Sequence, residues 1–257
     1  MIHYHGGPLG GNSQDKVRFY HSRHALVPFT YQEDLGVVAD VCQSFCFDNG
    51  AFTAWKKGIS INFEEYYQWV DDYKNHPGFD FALLPDVIDG TEEQNDMMVE
   101  RAPNSLHKFL VPVWHMHESF ERFDRLASLF RTVAIGSSGA YPTPGANIWW
   151  ERMTAFMNHI CDEKGKPPCK LHGLRMLNPK IFSKLPLSSA DSTNAATKVN
   201  LNQQRFGTYK PAKGWQRAVV VADRAEAFNS AAYWGENGWS YENCDLESFD
   251  DAENTLI

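Results

Sequence analysis

The sequence predicts an α/β protein: a (β/α)8 barrel of the TIM type, followed by a C-terminal helical extension and an acidic tail. Short apolar runs alternate with segments of helical periodicity. Eight such runs fall within about 190 residues, a compact version of that architecture. An open doubly wound sheet is the alternative, but it usually carries a GxGxxG loop after an early strand. The glycine-rich stretch GGPLGG at 6–11 lacks that spacing.

The elements follow one another in the order that a barrel requires. The eight candidate strands are residues 2–5, 25–27, 44–47, 81–84, 109–113, 133–135, 171–174 and 187–190. Four segments have the character of surface helices, and they are residues 63–73, 91–101, 120–130 and 149–160. We predict the barrel domain over 1–200, a basic and aromatic extension packed on it over 201–241, and the tail over 242–257.

Composition restricts the class of protein. The chain has 257 residues, 43% of them hydrophobic, enough to build one large core. Its apolar runs are much shorter than a bilayer span, and its first residues do not form a secretory signal, so we expect a cytoplasmic protein. Five cysteines without a CxxC pair favour reduced thiols over a disulfide framework or a cysteine-rich zinc site.

Charge is unevenly distributed along the chain. The formal net charge is −8, but the last sixteen residues hold six acids and no bases, so the remainder is close to neutral. Between Lys198 and Arg224 there are six bases and one acid. This distribution is compatible with a nucleic-acid partner without requiring one.

Polar residues collect where the predicted strands end, and in a barrel those ends form the active site. Three of them are carboxylates: Asp48 after the third strand, Asp86 after the fourth and Asp191 at the eighth. Each alone could form a turn or cap a helix. Together in one cleft they would raise one another's pKa values, which suits a nucleophile with an acid or base partner. The same strand ends carry Asn49, Gly50, His115, Gly136, Ser137 and Arg175.

These segments resemble the tRNA-guanine transglycosylase superfamily. FDNGAF looks like that family's Asp-Ser-Gly-Gly-Phe segment. LLPDVIDG resembles the strand that carries its base-recognising aspartate, and VAIGSSGAY is similar to its glycine-rich strand. LHGLRML resembles the strand before the last, and PLSSADSTN stands where the family carries its nucleophile. The likeness rests on order and spacing, with each motif degenerate, and looks closest to phage and bacterial relatives that place 7-deazaguanines into DNA. It would make the compartment the host cytoplasm for a phage-encoded chain.

The resemblance implies exchange of guanine for a 7-deazaguanine, such as one of the preQ0 type, through a covalent aspartyl-glycosyl intermediate. By position, Asp191 would be the nucleophile and Asp48 the acid/base partner. Asp86 would accept hydrogen bonds from the base, a donor-rich edge that suits a carboxylate. Gly136 and Ser137 would line the base, and His115 would contact the base or the ribose. We place Asn49, Gly50 and Arg175 in the same substrate site. No metal or other cofactor is expected, and a homodimer like that of the tRNA enzymes is left open.

One departure from the family concerns the nucleic acid. The tRNA enzymes carry a CxCxxC…H zinc site after the barrel, and here only Cys244 follows Asp191. Its absence favours DNA over tRNA as the substrate. We expect bases interleaved with aromatic residues to replace it as a surface that binds phosphates. These bases are Lys198, Arg205, Lys210, Lys213 and Arg217, among Phe206, Tyr209 and Trp215. A solvated surface with aromatic packing explains the same pattern.

Two other classes of function remain. His3 and His5 at the end of the first strand, with His115 and Asp191, resemble the ligands of metal-dependent amidohydrolase barrels. Against this, the sixth strand ends in Gly136 and Ser137, where that family has a histidine. The other class is a barrel that binds a nucleobase or nucleic acid without turnover, although such a binder has little need of both Asp48 and Asp191.

Overall fold

A computed structural model describes residues 1–197, 206, 209–238 and 240. Nine parallel strands form one sheet, in the order β5-β4-β3-β2-β1-β9-β8-β7-β6, that curls into a nearly closed barrel. The strands are β1 Ile2–Gly6, β2 His24–Pro28, β3 Ser44–Asp48, β4 Phe79–Leu83, β5 Leu110–Val111, β6 Val113–His115, β7 Thr132–Gly136, β8 Lys170–Gly173 and β9 Ser189–Ser192. Each of the eight predicted strands overlaps an observed one, so the predicted barrel is confirmed.

The barrel closes through a strand that a proline divides. Pro112 has no backbone N–H to donate, and it separates β5 from β6. The amide of Leu84 donates to the carbonyl of Val111 at 2.8 Å, and the amide of Ala134 donates to the carbonyl of Pro112 at 2.9 Å. The residues from Leu110 to His115 therefore act as one barrel strand, whose first half joins β4 and whose second half joins β7.

Helices connect successive strands and cover the outside of the barrel. They are α1 Ser13–Tyr20, α2 Leu35–Val41, α3 Ala51–Lys57, α4 Phe63–Tyr73, α5 Glu92–Arg101, α6 Phe120–Leu129, α7 Asn147–Ile160, α8 Pro179–Phe182, α9 Asn194–Thr197 and α10 Gly214–Glu226. The four predicted helices correspond to α4, α5, α6 and α7. Side-chain caps begin several of them: Asn62 caps α4, Thr91 forms a capping box with Gln94 on α5, and Ser119 caps α6.

The core lies mainly between the strands and the helices. The helix α7 contributes Trp149, Trp150 and Phe156, which are fully buried in the large cluster that surrounds the barrel. Two smaller clusters are separate from it: Leu83 with Val111, Val113 and Ala134, and Tyr4 with Leu26 and Cys46. They contain the alternate strand residues that point into the barrel, and they fill its interior with side chains.

The helix α10 occupies the position of a barrel helix after β9. His5 on β1 contacts Glu226, and His3 contacts the carbonyl of Phe228, so α10 runs antiparallel to β1. The predicted boundary near residue 200 and the acidic tail lie outside the described residues, as does Cys244. The four described cysteines are free thiols. Within the described part of the chain, no helix is both long enough and apolar enough to cross a bilayer.

Candidate active site

A cavity of about 450 Å³ opens at the carboxyl ends of the strands, and we call it the mouth cavity. Leu26, Leu83 and Val113 contribute apolar surface from inside the barrel. Asp48, Asp86 and Asp191 all line it. Three acidic side chains that are far apart in the sequence therefore meet around one pocket, as the reading of strand ends predicted.

Asp48 ends β3 and opens onto the mouth cavity. The backbone amides of Asn49 and Gly50 hydrogen-bond to its carboxylate. Burial, followed by the negative charges of Asp191 and Asp86, raises the pKa of Asp48 to about 7. A carboxyl group with this pKa can donate or accept a proton near neutral pH.

Asp86 accepts a hydrogen bond at one carboxylate oxygen and has a histidine close to the other. The side-chain amide of Asn49 donates to Oδ1 at 2.8 Å, and Nε2 of His115 lies 2.9 Å from Oδ2. Asn49 is itself fixed, because Nδ2 also donates to the carbonyl of Leu84 and Oδ1 accepts from the amide of Ala51. The carboxylate is thus oriented, and each oxygen keeps a lone pair for a ligand.

Asp191 on β9 is 6% exposed. The amide of Arg175 donates to its Oδ1 at 3.1 Å, and Nε2 of His172 lies 3.4 Å from the same oxygen. His172 is fully buried, and its Nδ1 lies 2.8 Å from Oγ of Ser189. Neither contact involves Oδ2 of Asp191, so one oxygen is positioned and the other remains for chemistry.

Arg175 joins two strand ends across the cavity. Its φ of 58° places it in the left-handed region, which is uncommon for a residue other than glycine. Its guanidinium donates to the carbonyl of Ser137 at 2.7 Å and lies 4.6 Å from the ring centre of Phe52. Burial lowers the pKa of Arg175, although the carboxylate of Asp191 opposes this effect. Its side chain therefore sits beside the acidic group and forms part of the wall.

Gly136 and Ser137 line the same wall from the end of β7. A Cβ at Gly136 would lie 3.0 Å from Val113 and 3.1 Å from Nδ1 of His115, so this glycine gives the histidine ring its space. Oγ of Ser137 accepts a hydrogen bond from the indole of Trp149 at 2.9 Å. The carbonyl of Ser137 accepts from Arg175, so both polar groups of Ser137 have protein partners that hold the cavity wall together.

Gly50 has a different role from the one expected, because it is not among the residues lining the mouth cavity. Its φ of 79° begins α3, and a Cβ there would approach Thr30 to 2.8 Å. The small residues after Asp48 therefore allow a tight turn and close packing.

The metal-ligand interpretation of His3 and His5 does not fit the structure. Both side chains point out of the barrel, toward the carbonyl of Phe228 and the carboxylate of Glu226 respectively. Tyr4, between them, points inward. Over the described residues, no three or more His, Cys, Asp or Glu side chains form a group that could hold a metal ion.

The predicted nucleic-acid residues are only partly described. Lys198 and Arg205 lie outside the described residues. Lys210 and Lys213 precede α10, whose first turn lies at the carboxyl ends of the strands and so on the same side as the mouth cavity. Arg217 donates to the carbonyls of Pro211 and Ala212. Among the interleaved aromatic residues, Phe206 is buried, Trp215 lies under the guanidinium of Arg18, and Tyr209 is 73% exposed.

The sequence reasoning missed the contribution of α3. Phe52, Thr53, Lys56 and Lys57 line the mouth cavity, and so does Tyr31 from the loop after β2. The signal was present, because Phe52 and Lys56 are four residues apart and share one face of any helix that begins after Gly50.

Comparison with known protein families, curated proteins and solved structures found no match to this chain.

Proposed function

We propose that the chain exchanges guanine for a 7-deazaguanine in DNA, by two displacements at C1′ of the target nucleotide. The observation that carries the proposal is the convergence of Asp48, Asp86 and Asp191 on one cavity of about 450 Å³. Its volume is within the usual range for small-molecule sites. The raised pKa of Asp48, about 7, gives one of the three a proton to transfer.

In the first displacement, Oδ2 of Asp191 attacks C1′ and the bond from C1′ to N9 of guanine breaks. The protonated carboxyl of Asp48 supplies the proton that the departing guanine takes up. The products are free guanine, a glycosyl ester on Asp191 and the carboxylate form of Asp48. The covalent ester holds the sugar while one base leaves and another enters.

In the second displacement, the carboxylate of Asp48 takes the proton from N9 of the incoming 7-deazaguanine. That nitrogen attacks C1′ and the ester bond breaks, which regenerates Asp191. Asp86, oriented by the hydrogen bond from Asn49 and lying beside His115, accepts hydrogen bonds from N1–H and the 2-amino group of either base. Because guanine and 7-deazaguanine share this edge, one carboxylate serves both half-reactions.

The decisive experiment measures incorporation of a labelled base. The protein is incubated with guanine-containing DNA and an isotopically labelled 7-deazaguanine of the preQ0 type, and the DNA is digested to nucleosides for mass spectrometry. We expect the label in the DNA and an equivalent amount of guanine released. Asp191→Asn should still bind the base and the DNA but incorporate none.

Two outcomes would contradict the proposal. If the wild-type protein leaves both single-stranded and duplex DNA unlabelled, base exchange is rejected. If Asp191→Asn incorporates the base as fast as wild type, exchange stands but its nucleophile is misassigned. A protein that binds the base and DNA without labelling would instead be a non-catalytic binding barrel.

A further inference from the structure

The helix α3 presents an aromatic pair at the rim of the mouth cavity. Phe52 lines the cavity and is 38% exposed, and Trp55, one turn later, is 52% exposed. Their ring centres are 5.8 Å apart. Packing of the helix does not require this pair, because α3 attaches to the barrel through Ala51 and Ala54, which are buried. An exposed aromatic pair at the rim of a cavity is therefore a candidate contact surface for a ligand of that cavity.

Positive charge lies beside the aromatic pair. Lys56 and Lys57 extend from the last turn of α3 and line the cavity. The ammonium of Lys57 lies 4.8 Å from the ring centre of Tyr31, and the guanidinium of Arg175 lies 4.6 Å from that of Phe52. Three carboxylates occupy the cavity below, so a phosphate would be repelled from its interior and attracted to this rim.

We propose that α3 is the docking surface for the single-stranded DNA that flanks the target guanine. One base stacks on Trp55 and Phe52, and the neighbouring phosphates pair with Lys56 and Lys57. Alternation of aromatic faces with lysines is the chemistry by which proteins hold single strands. A duplex would hide the faces of its bases, and the target has to leave the stack to reach the carboxylates.

The choice of DNA as the ligand of this surface rests on the proposed function. The positions of the rings and lysines on α3 are independent of that proposal. Continuity supports the assignment, because the residues that would hold the flanking strand also form the wall of the cavity that would receive the base. The residues of this surface, in α3, are not part of the basic stretch Lys198–Arg224.

Fluorescence anisotropy with a labelled single strand of about a dozen nucleotides tests the surface, since sites of this kind span about 4–16 nucleotides. Trp55→Ala should weaken binding about 5- to 100-fold, as expected for one stacked base. Trp55→Phe should recover most of the affinity. The double variant Lys56→Gln with Lys57→Gln should reduce the magnitude of the slope of log K against log[salt] by about 1.4, the value for two phosphates on a single strand.

Matched controls come from the other side of the molecule. Phe228→Ala removes a ring that is 54% exposed, close to the exposure of Trp55. The double variant Lys108→Gln with Lys170→Gln removes two lysines at the opposite end of the barrel. Both controls should bind the strand as wild type does, and circular dichroism should show that every variant is folded.

Several results would overturn this inference: α3 variants that bind like wild type, controls that weaken binding as much as they do, or an RNA strand that binds more tightly than the DNA. The outcome is separable from that of the proposed function. If wild type exchanges the base and Trp55→Ala binds the strand as wild type does, the docking surface is rejected and the proposed activity stands. If strand binding depends on α3 but wild type does not exchange the base, the proposed activity is rejected and the docking surface stands.

Discussion

The two ends of the barrel differ in how their polar groups are balanced. A groove of about 1270 Å³ lies at the amino ends of the strands, nearly three times the volume of the mouth cavity. Tyr4 and Asp80 line that groove, and Tyr4 donates to Asp80 at 2.6 Å. Ser44 also donates to Asp80, and Nδ1 of His24 lies 2.7 Å from Oγ of Ser44. At the mouth, by contrast, Asp48 faces two further carboxylates that raise its pKa. The clustering of like charges, and not the volume of the opening, therefore selects the mouth cavity as the candidate site.

The sharpest test of this comparison removes one negative charge from each end. Asp48→Asn should lower the rate of base exchange by about 10²- to 10⁴-fold, because the amide cannot transfer the proton. Asp80→Asn should leave exchange unchanged and lower the free energy of unfolding by less than about 1 kcal/mol, since its amide oxygen still accepts from Tyr4. The two variants are compared by exchange assay and urea unfolding. A similar loss of exchange in both would mean that the ends do not differ in function.

His172 connects the two ends. It lies between Asp191 in the mouth cavity and Ser189, which lines the opposite groove. We expect His172→Phe to lower kcat for exchange about 10- to 100-fold, because the Asp191 carboxylate would lose a neighbour at Oδ1 and its nucleophilic Oδ2 would be less well positioned. The KM for the 7-deazaguanine should be unchanged, since Asp86 binds the base.

The conservative variant His172→Gln distinguishes positioning from stability. The amide of a glutamine can also place an N–H close to Oδ1 of Asp191, so His172→Gln should keep most of kcat. Thermal unfolding reports the stability of both variants, and assays are run well below the lower melting temperature. If kcat falls equally in both, or KM rises with it, His172 has only a packing role and the two ends are independent.

The sequence was sufficient to predict the strands and the three carboxylates, because both follow local rules. Apolar runs mark the strands of a parallel sheet, and a polar residue after each run must lie at the carboxyl edge. Asp48, Asp86 and Asp191 satisfied that rule whatever the details of packing. The site depends on contacts that no local rule supplies, such as the left-handed backbone of Arg175 and its two hydrogen bonds.

Two kinds of information were missing. The first was strand orientation: His3, Tyr4 and His5 all occur in one short strand, and only the packing of α10 shows that both histidines face outward. A shift of one residue would have reversed every side chain of β1. The second was the direction of α3, which brings Lys56 and Lys57 over the cavity although the run AFTAWKK alone indicates only a short helix.

The smallest effect that sharpens the comparison is a pH dependence confined to the mouth. With its pKa near 7, Asp48 is protonated below neutral pH and ionised above it. The first displacement needs the acid form, so kcat/KM for DNA should fall about fivefold between pH 7 and pH 8. The second needs the carboxylate, so kcat/KM for the 7-deazaguanine should rise with pH and then level off. Its midpoint should lie below 7, because Asp191 is an uncharged ester in the intermediate and no longer raises the pKa of Asp48. Initial rates at varied DNA and varied base separate the two limbs. Asp80→Asn should keep both limbs at the same pH, whereas limbs that run in the same direction would assign the proton transfer to another group.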